Sequence, residues 1–408
     1  MSKPLPWLQD RLARAARDEL LRARRVFQTD GAGYVIEDGK RLLNFAGNDY
    51  LNLARDPRIR AAVENELQRS GVGATASPLI IGRGPAQRDL EEGIAAFERQ
   101  DAAIVFPSGY AANVGTITSL VQPGDALFCD RFNHASLVDG CRLSGAKLRI
   151  YRHDDLTSLE KELQRALANH DDSPARKWII TESVFSMDGD AAPLRELCDL
   201  AERFGAEFIV DEAHATGVYG TQGRGVAELA GVEDRIAVRV GTLSKSLGAQ
   251  GGFAVGAKST IDWLWNNART QMFSTSLSPL MCAAAAAAIQ IVKNEPDRRR
   301  KLQENVNAWR ELMSADAITS PRLSATATGP IQPLIIGEPR PTLELAQRLK
   351  ESGFLVAAIR PPTVPQHTSR LRISFSCAHT AEEIERLART VIAELISADA
   401  PMSEVRHG

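Results

Sequence analysis

The chain is poor in cysteine, with five in 408 residues and no C-x-x-C pair. Cys129, Cys141, Cys198, Cys282 and Cys377 are far apart and odd in number. That argues against a disulfide framework or a zinc site and fits a reducing compartment. Neither charge is in excess: Lys plus Arg number 49 and Asp plus Glu 51. A near-neutral chain has no general electrostatic reason to bind nucleic acid or an anionic membrane. Long hydrophobic runs are missing too. The nearest, Met281–Ala288, is too short and too weakly apolar to span a bilayer. The first 25 residues alternate charge with short apolar pieces and have no signal-peptide core. These absences predict a soluble, cytoplasmic protein without nucleic-acid or membrane partners.

Several catalytic signatures are also absent. Phe106 occupies the first Gly position that the G-x-S-x-G elbow of a serine hydrolase needs before Ser108. Gly82-Arg83-Gly84 is followed by Pro85-Ala86, which breaks the dinucleotide fingerprint, and no Walker A sequence occurs. His153, His170, His367, His379 and His407 show no metal-ligand spacing and read as structural or solvated, so no metal is expected.

What is present is an ordinary globular composition, long enough for two to three domains at about 150 residues each. An Arg-rich amphipathic helix is expected over 5–25, followed by a hairpin turning at Glu37–Lys40 and a helix over 56–69. Apolar strand runs then alternate with helical patterns. The runs are Ala103–Phe106, Ala126–Cys129, Lys147–Tyr151, Trp178–Thr181, Glu207–Val210, Ala237–Val240 and Phe253–Val255. Continuous apolar strands between helices predict an α/β fold with a mostly parallel, seven-stranded sheet. Long helices over 259–270 and 278–313 precede a mixed α+β segment with strands near Ile331–Ile336, Leu355–Ala358 and Leu371–Phe375. Three parts are expected: an N-terminal helix and hairpin (1–55), a large α/β domain (56–290) and a smaller C-terminal α+β domain (291–408).

The chemistry centres on Ile209–His214 and Gly241–Gly248. The first places Asp211 just past an apolar strand, at the carboxyl end where α/β sheets bind ligands. The second places Lys245 after another strand, among small residues. Taken alone, Asp211 reads more readily as a helix cap or surface ion pair and Lys245 as a solvated lysine. Together they suit pyridoxal 5'-phosphate: lysine forms a Schiff base, and the acid keeps the pyridine nitrogen protonated. Phe106–Asn113 leads a strand into a helix whose free N–H groups suit a phosphate. His134 offers a flat ring for stacking, and Ser186 a hydroxyl in a turn after a strand. Phe273–Ser276 offers further hydroxyls before a helix. Three prolines stiffen Ile359–Pro365, which holds Arg360 and suits capture of a carboxylate.

These motifs resemble the fold-type I pyridoxal phosphate enzymes, and within them the α-oxoamine synthases, from about residue 5 to 395. The most specific pieces are Asn44–Leu51, Asp211–Gly217 and Gly241–Gly248. Within that family, Ile331–Ile335 and Ala358–Pro365 look most like the biotin-pathway branch. The resemblance implies a homodimer with active sites at the subunit interface, small-molecule substrates and decarboxylative condensation of L-alanine with a pimeloyl thioester. Sister activities, on glycine with acetyl-CoA or serine with a long acyl chain, stand as the alternative. An aminotransferase or a cofactor-binding regulator is a remoter reading. By resemblance, Lys245 carries the cofactor, Asp211 pairs with the pyridine nitrogen, His214 with the phenolic oxygen, and His134 stacks on the ring beside Ser186. Gly109, Tyr110 and Thr242 hold the phosphate, with Ser274 and Thr275 reaching it from the second subunit. Asn48 and Arg360 take the amino-acid carboxylate, and Arg22 and Thr363 lie near the acyl substrate. The stretch Gly73–Leu79 departs from the Gly-Ser-rich run common in the family, and Gln87 stands where many members have His.

Overall fold

The computed structural model describes residues 5–31, 33–168 and 175–399. His170 and His407 lie outside these. The described residues form strands β1 (Gln28–Thr29), β2 (Tyr34–Glu37), β3 (Lys40–Asn44), β4 (Ala102–Phe106), β5 (Ala126–Asp130), β6 (Lys147–Tyr151) and β7 (Lys177–Glu182). The rest are β8 (Glu207–Asp211), β9 (Val238–Thr242), β10 (Gly252–Gly256), β11 (Ile331–Gly337), β12 (Phe354–Leu355), β13 (Ala357–Ile359) and β14 (Ser369–Ser374). The chain divides into two compact units. The larger takes in residues 48–186 and 190–302, the smaller the described residues of 1–47, 187–189 and 303–408.

The larger unit is built on a seven-stranded sheet in the order β4-β10-β9-β8-β7-β5-β6. Strand β10 runs antiparallel to both its neighbours, and the other pairings are parallel. This is the expected mostly parallel α/β architecture. The continuous apolar runs follow from burial on both faces, because successive side chains point to opposite sides of a strand. Phe128, Ile179, Phe208 and Val210 enter one core with the helices Leu156–Ala168 and Leu194–Phe204. Leu127, Cys129, Ile180, Ile209 and Val240 enter the other with Gly109–Leu120, Ala135–Leu143 and Lys258–Asn267. Each such buried side chain contributes about 1.5–3 kcal/mol.

The smaller unit holds a four-stranded sheet, β1-β2-β3-β12, and a three-stranded antiparallel sheet, β11-β14-β13. The hairpin β2–β3 turns on Asp38 (φ 50°) and Gly39 (φ 77°), the left-handed pair that a two-residue turn requires. Trp309, Phe45 and Phe375 anchor its core, with Phe375 5.5 Å from each of the other two rings.

Three elements differ from the sequence expectation. The N-terminal helix is Pro6–Arg17 and stops well short of residue 25; Glu19 adopts φ 57°, which no helix continues through. The long helix over 278–313 is two helices, Pro279–Asn294 and Pro296–Ser314. Pro296 drives Glu295 out of helical geometry (φ −123°, ψ 69°). The expected strand Leu355–Ala358 is likewise split into β12 and β13, which pair in different sheets.

Candidate active site

The parallel strands of the large sheet bring their carboxyl ends to one edge. Register places Glu182 of β7 opposite Asp211 of β8, and Asp211 opposite Val240 of β9. Lys245 follows β9 by three residues in a tight loop closed by the Gly248 N–H donating to the Lys245 carbonyl (2.9 Å). His134 follows β5 and caps the helix Ala135–Leu143. Lys245 and Asp211 are close enough for their charges to act on both His134 and Glu182. The sequence reading pairs Asp211 with Lys245 on neighbouring strand ends, and the sheet order places β8 beside β9.

Asp211 is buried. Its Oδ1 accepts the Ala213 N–H (2.8 Å) and its Oδ2 accepts Asn113 Nδ2 (2.7 Å). Beside it, Glu212 has a structural task. It accepts the Ser183 hydroxyl (2.6 Å) and the Val226 and Ala227 N–H groups (3.1 and 2.8 Å), which fastens the start of a helix to the sheet. His214 is buried, with Nδ1 2.8 Å from the Tyr50 hydroxyl, and that hydroxyl donates to Asn48 Oδ1 (3.1 Å).

His134 keeps one face open, yet enough protein surrounds it for desolvation to hold its pKa below the ordinary imidazole value. Asp211 opposes that shift and Lys245 adds to it. Glu182 accepts the His134 backbone N–H, while Asn133 bridges back to β7 through the Glu182 N–H (3.0 Å) and the Ile180 carbonyl (2.8 Å). Full burial, then the neighbouring Asp211 charge, push the Glu182 carboxyl well above the usual range. Its Oε atoms also receive the Ser186 N–H, so one carboxyl anchors the backbones of both His134 and Ser186.

The helix Gly109–Leu120 starts at the same edge, capped by the Ser108 hydroxyl (3.1 Å to Ala111 N). Gly109 abuts Thr242: a Cβ there would sit 3.2 Å from Thr242 Oγ1. A Cβ at Gly252 would come within 2.5 Å of the Ser108 carbonyl oxygen. A helix N-terminus, two glycines that leave no room for side chains and a buried threonine form a cradle of phosphate size. Tyr110 is half exposed, its hydroxyl on Asp139 (2.6 Å). Ser274 and exposed Thr275 lie in the turn after the short helix Arg269–Met272. Cradle, carboxylate, imidazoles and lysine together fit pyridoxal 5'-phosphate.

In the smaller unit, Arg22, Arg360 and Thr363 come together although 341 residues separate the first from the last. Arg22 Nη2 donates to Thr363 Oγ1 (3.1 Å), and Arg360 donates to the Glu19 and Leu21 carbonyls (2.7 and 2.9 Å). Two of this arginine's donors are thus engaged by the N-terminal segment. Burial, then Arg22, hold its pKa below the ordinary guanidinium value. The sequence reading gave no role to Tyr50, Asn113, Ser136 or Glu182. Each lies inside or beside a quoted motif. Asn113 is also one helical turn past Gly109, a spacing that places both on one helix face.

Comparison with known proteins agrees with this geometry. The family model for aminotransferase class I and II matches residues 40–391. The 8-amino-7-oxononanoate synthase of Lysinibacillus sphaericus is 42% identical over 366 residues, 90% of this chain and 92% of the relative. The enzyme of that name from Anaeromyxobacter sp. (strain K) is 45% identical over 369 residues, 90% of each chain. Among solved structures, Sphingomonas wittichii serine palmitoyltransferase superposes with a TM-score of 0.89 at 32% identity, covering 96% of this chain and 97% of that one. The chain belongs to the class I and II aminotransferase family of pyridoxal 5'-phosphate enzymes, and within it to the 8-amino-7-oxononanoate synthases of the α-oxoamine synthase group.

Proposed function

We propose that the protein condenses L-alanine with a pimeloyl thioester, on CoA or on a carrier protein, to give 8-amino-7-oxononanoate, CO2 and the free thiol. The observation that carries this reading is the convergence of Lys245, Asp211 and His134 at one sheet edge, in a chain this similar to 8-amino-7-oxononanoate synthases over nine tenths of its length. Bound pyridoxal phosphate supplies the electron sink that stabilises negative charge on the alanine Cα. Asp211, which accepts two N–H donors, would pair with the pyridine nitrogen of the bound cofactor. His214 and Ser186 would hold the phenolic oxygen, and His134 would stack on the ring. Gly109, Tyr110 and Thr242 would hold the phosphate at the helix N-terminus, with Ser274 and Thr275 supplied by a second copy of the chain. The Lys245 amine would take the proton from the alanine Cα. The carbon–carbon bond forms at the thioester carbonyl and the thiolate leaves. The alanine carboxylate departs as CO2, and Lys245 returns a proton to the carbon.

Arg360 is assigned to the amino-acid carboxylate, so the N-terminal segment has to release the two Arg360 donors it now occupies. Arg22 and Thr363 face the acyl chain. A homodimer is supported by exposed apolar side chains at Ile80 (71%), Ile81 (73%) and Phe273 (69%). Gly82 packs on Ser276, which places this patch next to the residues assigned to the partner's phosphate. Among the described residues no helix is long and apolar enough to cross a membrane, and we place the enzyme in the cytoplasm.

The test is thiol release by the cofactor-loaded protein, with pimeloyl-CoA or acetyl-CoA against alanine, glycine or serine. Release confined to pimeloyl-CoA with alanine is the expected result. Release with glycine and acetyl-CoA would overturn the substrate assignment and keep the chemistry.

A further inference from the structure

Behind the candidate cofactor site runs a hydrogen-bond chain for which neither the reaction above nor the sequence motifs account. It starts at Asp211 Oδ2, which accepts Asn113 Nδ2 at 2.7 Å. The same nitrogen lies 2.9 Å from Ser136 Oγ, and Ser136 Oγ lies 2.8 Å from His134 Nδ1. The Ser136 backbone N–H also donates to that imidazole nitrogen (3.2 Å). Asn113 and Ser136 are 2% and 0% exposed. The helices that carry them, Gly109–Leu120 and Ala135–Leu143, pack against each other on one face of the sheet.

With Asp211 as a carboxylate, the direction of each bond in this chain follows. An ionised carboxylate accepts and never donates, so the edge of Asn113 that faces Asp211 is its NH2 group. That group has two protons, one for Asp211 and one for Ser136 Oγ. The Ser136 hydroxyl, already accepting, turns its own proton to His134 Nδ1. This nitrogen then receives two donors and has no room for a proton, and the ring's single N–H sits on Nε2. The Asn113 Oδ1 atom finds no hydrogen-bond partner. The amide is thus kept for what its nitrogen does, since a buried polar atom left without a partner costs stability.

We propose that Asn113 and Ser136 are positioning residues that link the two groups: they hold the Asp211 carboxylate by its Oδ2 and set His134 as a neutral imidazole protonated on Nε2. The pairing is complementary. A carboxylate paired with the pyridine nitrogen would keep the ring cationic, and an imidazolium stacked on a cationic ring would be repelled. A neutral ring stacks without that penalty and presents one N–H at the edge away from Ser136. The charged groups that act on His134 are Asp211, Lys245 and Asp139, and the lowered pKa of the imidazole agrees with the neutral form.

This inference rests on the reading of Asp211 and His134 as the ring-holding pair, and its test needs no acyl substrate. The holoprotein, labelled with 15N at histidine, is examined by NMR at neutral pH, and the His134 ring signals are assigned by their loss in His134→Gln. The wild type should show a bare Nδ1 and a protonated Nε2. Ser136→Ala should shift the Nδ1 signal and mix the tautomers, and Ser136→Thr, which keeps the hydroxyl, should restore the wild-type spectrum. Asn113→Leu should move the His134 signals as Ser136→Ala does and alter the visible absorbance of the bound cofactor. In alanine Cα–H exchange, the Ser136→Ala rate should fall about 10–100-fold, the usual effect of losing an outer-sphere partner, and the Thr variant should recover it. A protonated Nδ1 in the wild type would overturn the proposal, as would spectra unchanged by Ser136→Ala. If Asn113→Leu fails to fold, the wild-type spectrum and the Ser136 pair still decide. A failure of thiol release with an Nε2–H tautomer would remove the substrate assignment and leave this inference standing.

Discussion

A carboxylate buried at position 211 is useful only if it stays ionised, and a lysine at 245 only if it stands over the same small space. Both conditions come from neighbours distant in sequence: Asn113 is 98 residues from Asp211. Lys245→Ala should abolish the visible absorbance of the lysine-bound cofactor and lower turnover by about 10²–10⁴-fold, the range for loss of a general base. A retained band with normal turnover would contradict the assignment. Asp211→Asn removes a charge-assisted contact of about 1.5–3 kcal/mol, so cofactor affinity should fall about 10–100-fold. Alanine Cα–H exchange should slow in parallel; an unchanged rate would remove the role given to Asp211. At this scale the sequence was readable where a residue type, a strand end and a loop of small residues coincide, as at Asp211 and Lys245. It was silent on Tyr50, Asn113, Ser136 and Glu182. Their value comes from contacts such as the Tyr50–His214 bond, which spans 164 residues and leaves no local pattern.

Elements aim these side chains. The cradle proposed for the phosphate depends on β10 carrying glycine where it passes Ser108 and Gly109. Gly252→Ala should push that turn outward and weaken cofactor binding more than it lowers global stability, as equilibrium dialysis and urea unfolding can compare. Equal cofactor affinity would show the close approach to be dispensable. A second device ties the end of β5 to the turn after Ser186. His153 bonds Asp130 through Nδ1 (3.1 Å) and Asp190 through Nε2 (3.0 Å). Burial alone would lower its pKa, but these two bonds outweigh burial and raise it from 6.5 to about 10. The folded state therefore holds this proton more tightly than the unfolded chain. The contribution is complete below about pH 6.5 and is lost as the pH rises towards 10. Urea unfolding should show stability falling across that window, and His153→Gln should flatten the fall; equal slopes would contradict the clasp. Strands β4 to β10 were legible because burial on both faces demands unbroken apolar runs, and their ends moved by only a residue or two. The N-terminal helix was over-read because charge and apolar periodicity continue past Arg17, while backbone geometry at Glu19 does not.

At the scale of the whole molecule, the alternation of strands and helices made the α/β class legible. The grouping of the N-terminal hairpin with the C-terminal sheets was not legible. It depends on the short parallel pairing of β3 with β12, Leu43 opposite Phe354, across about 310 residues of chain. The central claim is that this molecule spends alanine's carboxylate to drive a carbon–carbon bond. The most direct measurement supplies alanine labelled with 13C at its carboxyl carbon, together with pimeloyl-CoA, and counts labelled CO2 against free thiol. The account predicts one labelled CO2 for each thiol released and no label in the amino ketone. Label retained in a keto acid, with no thiol formed, would mean transamination and would contradict it.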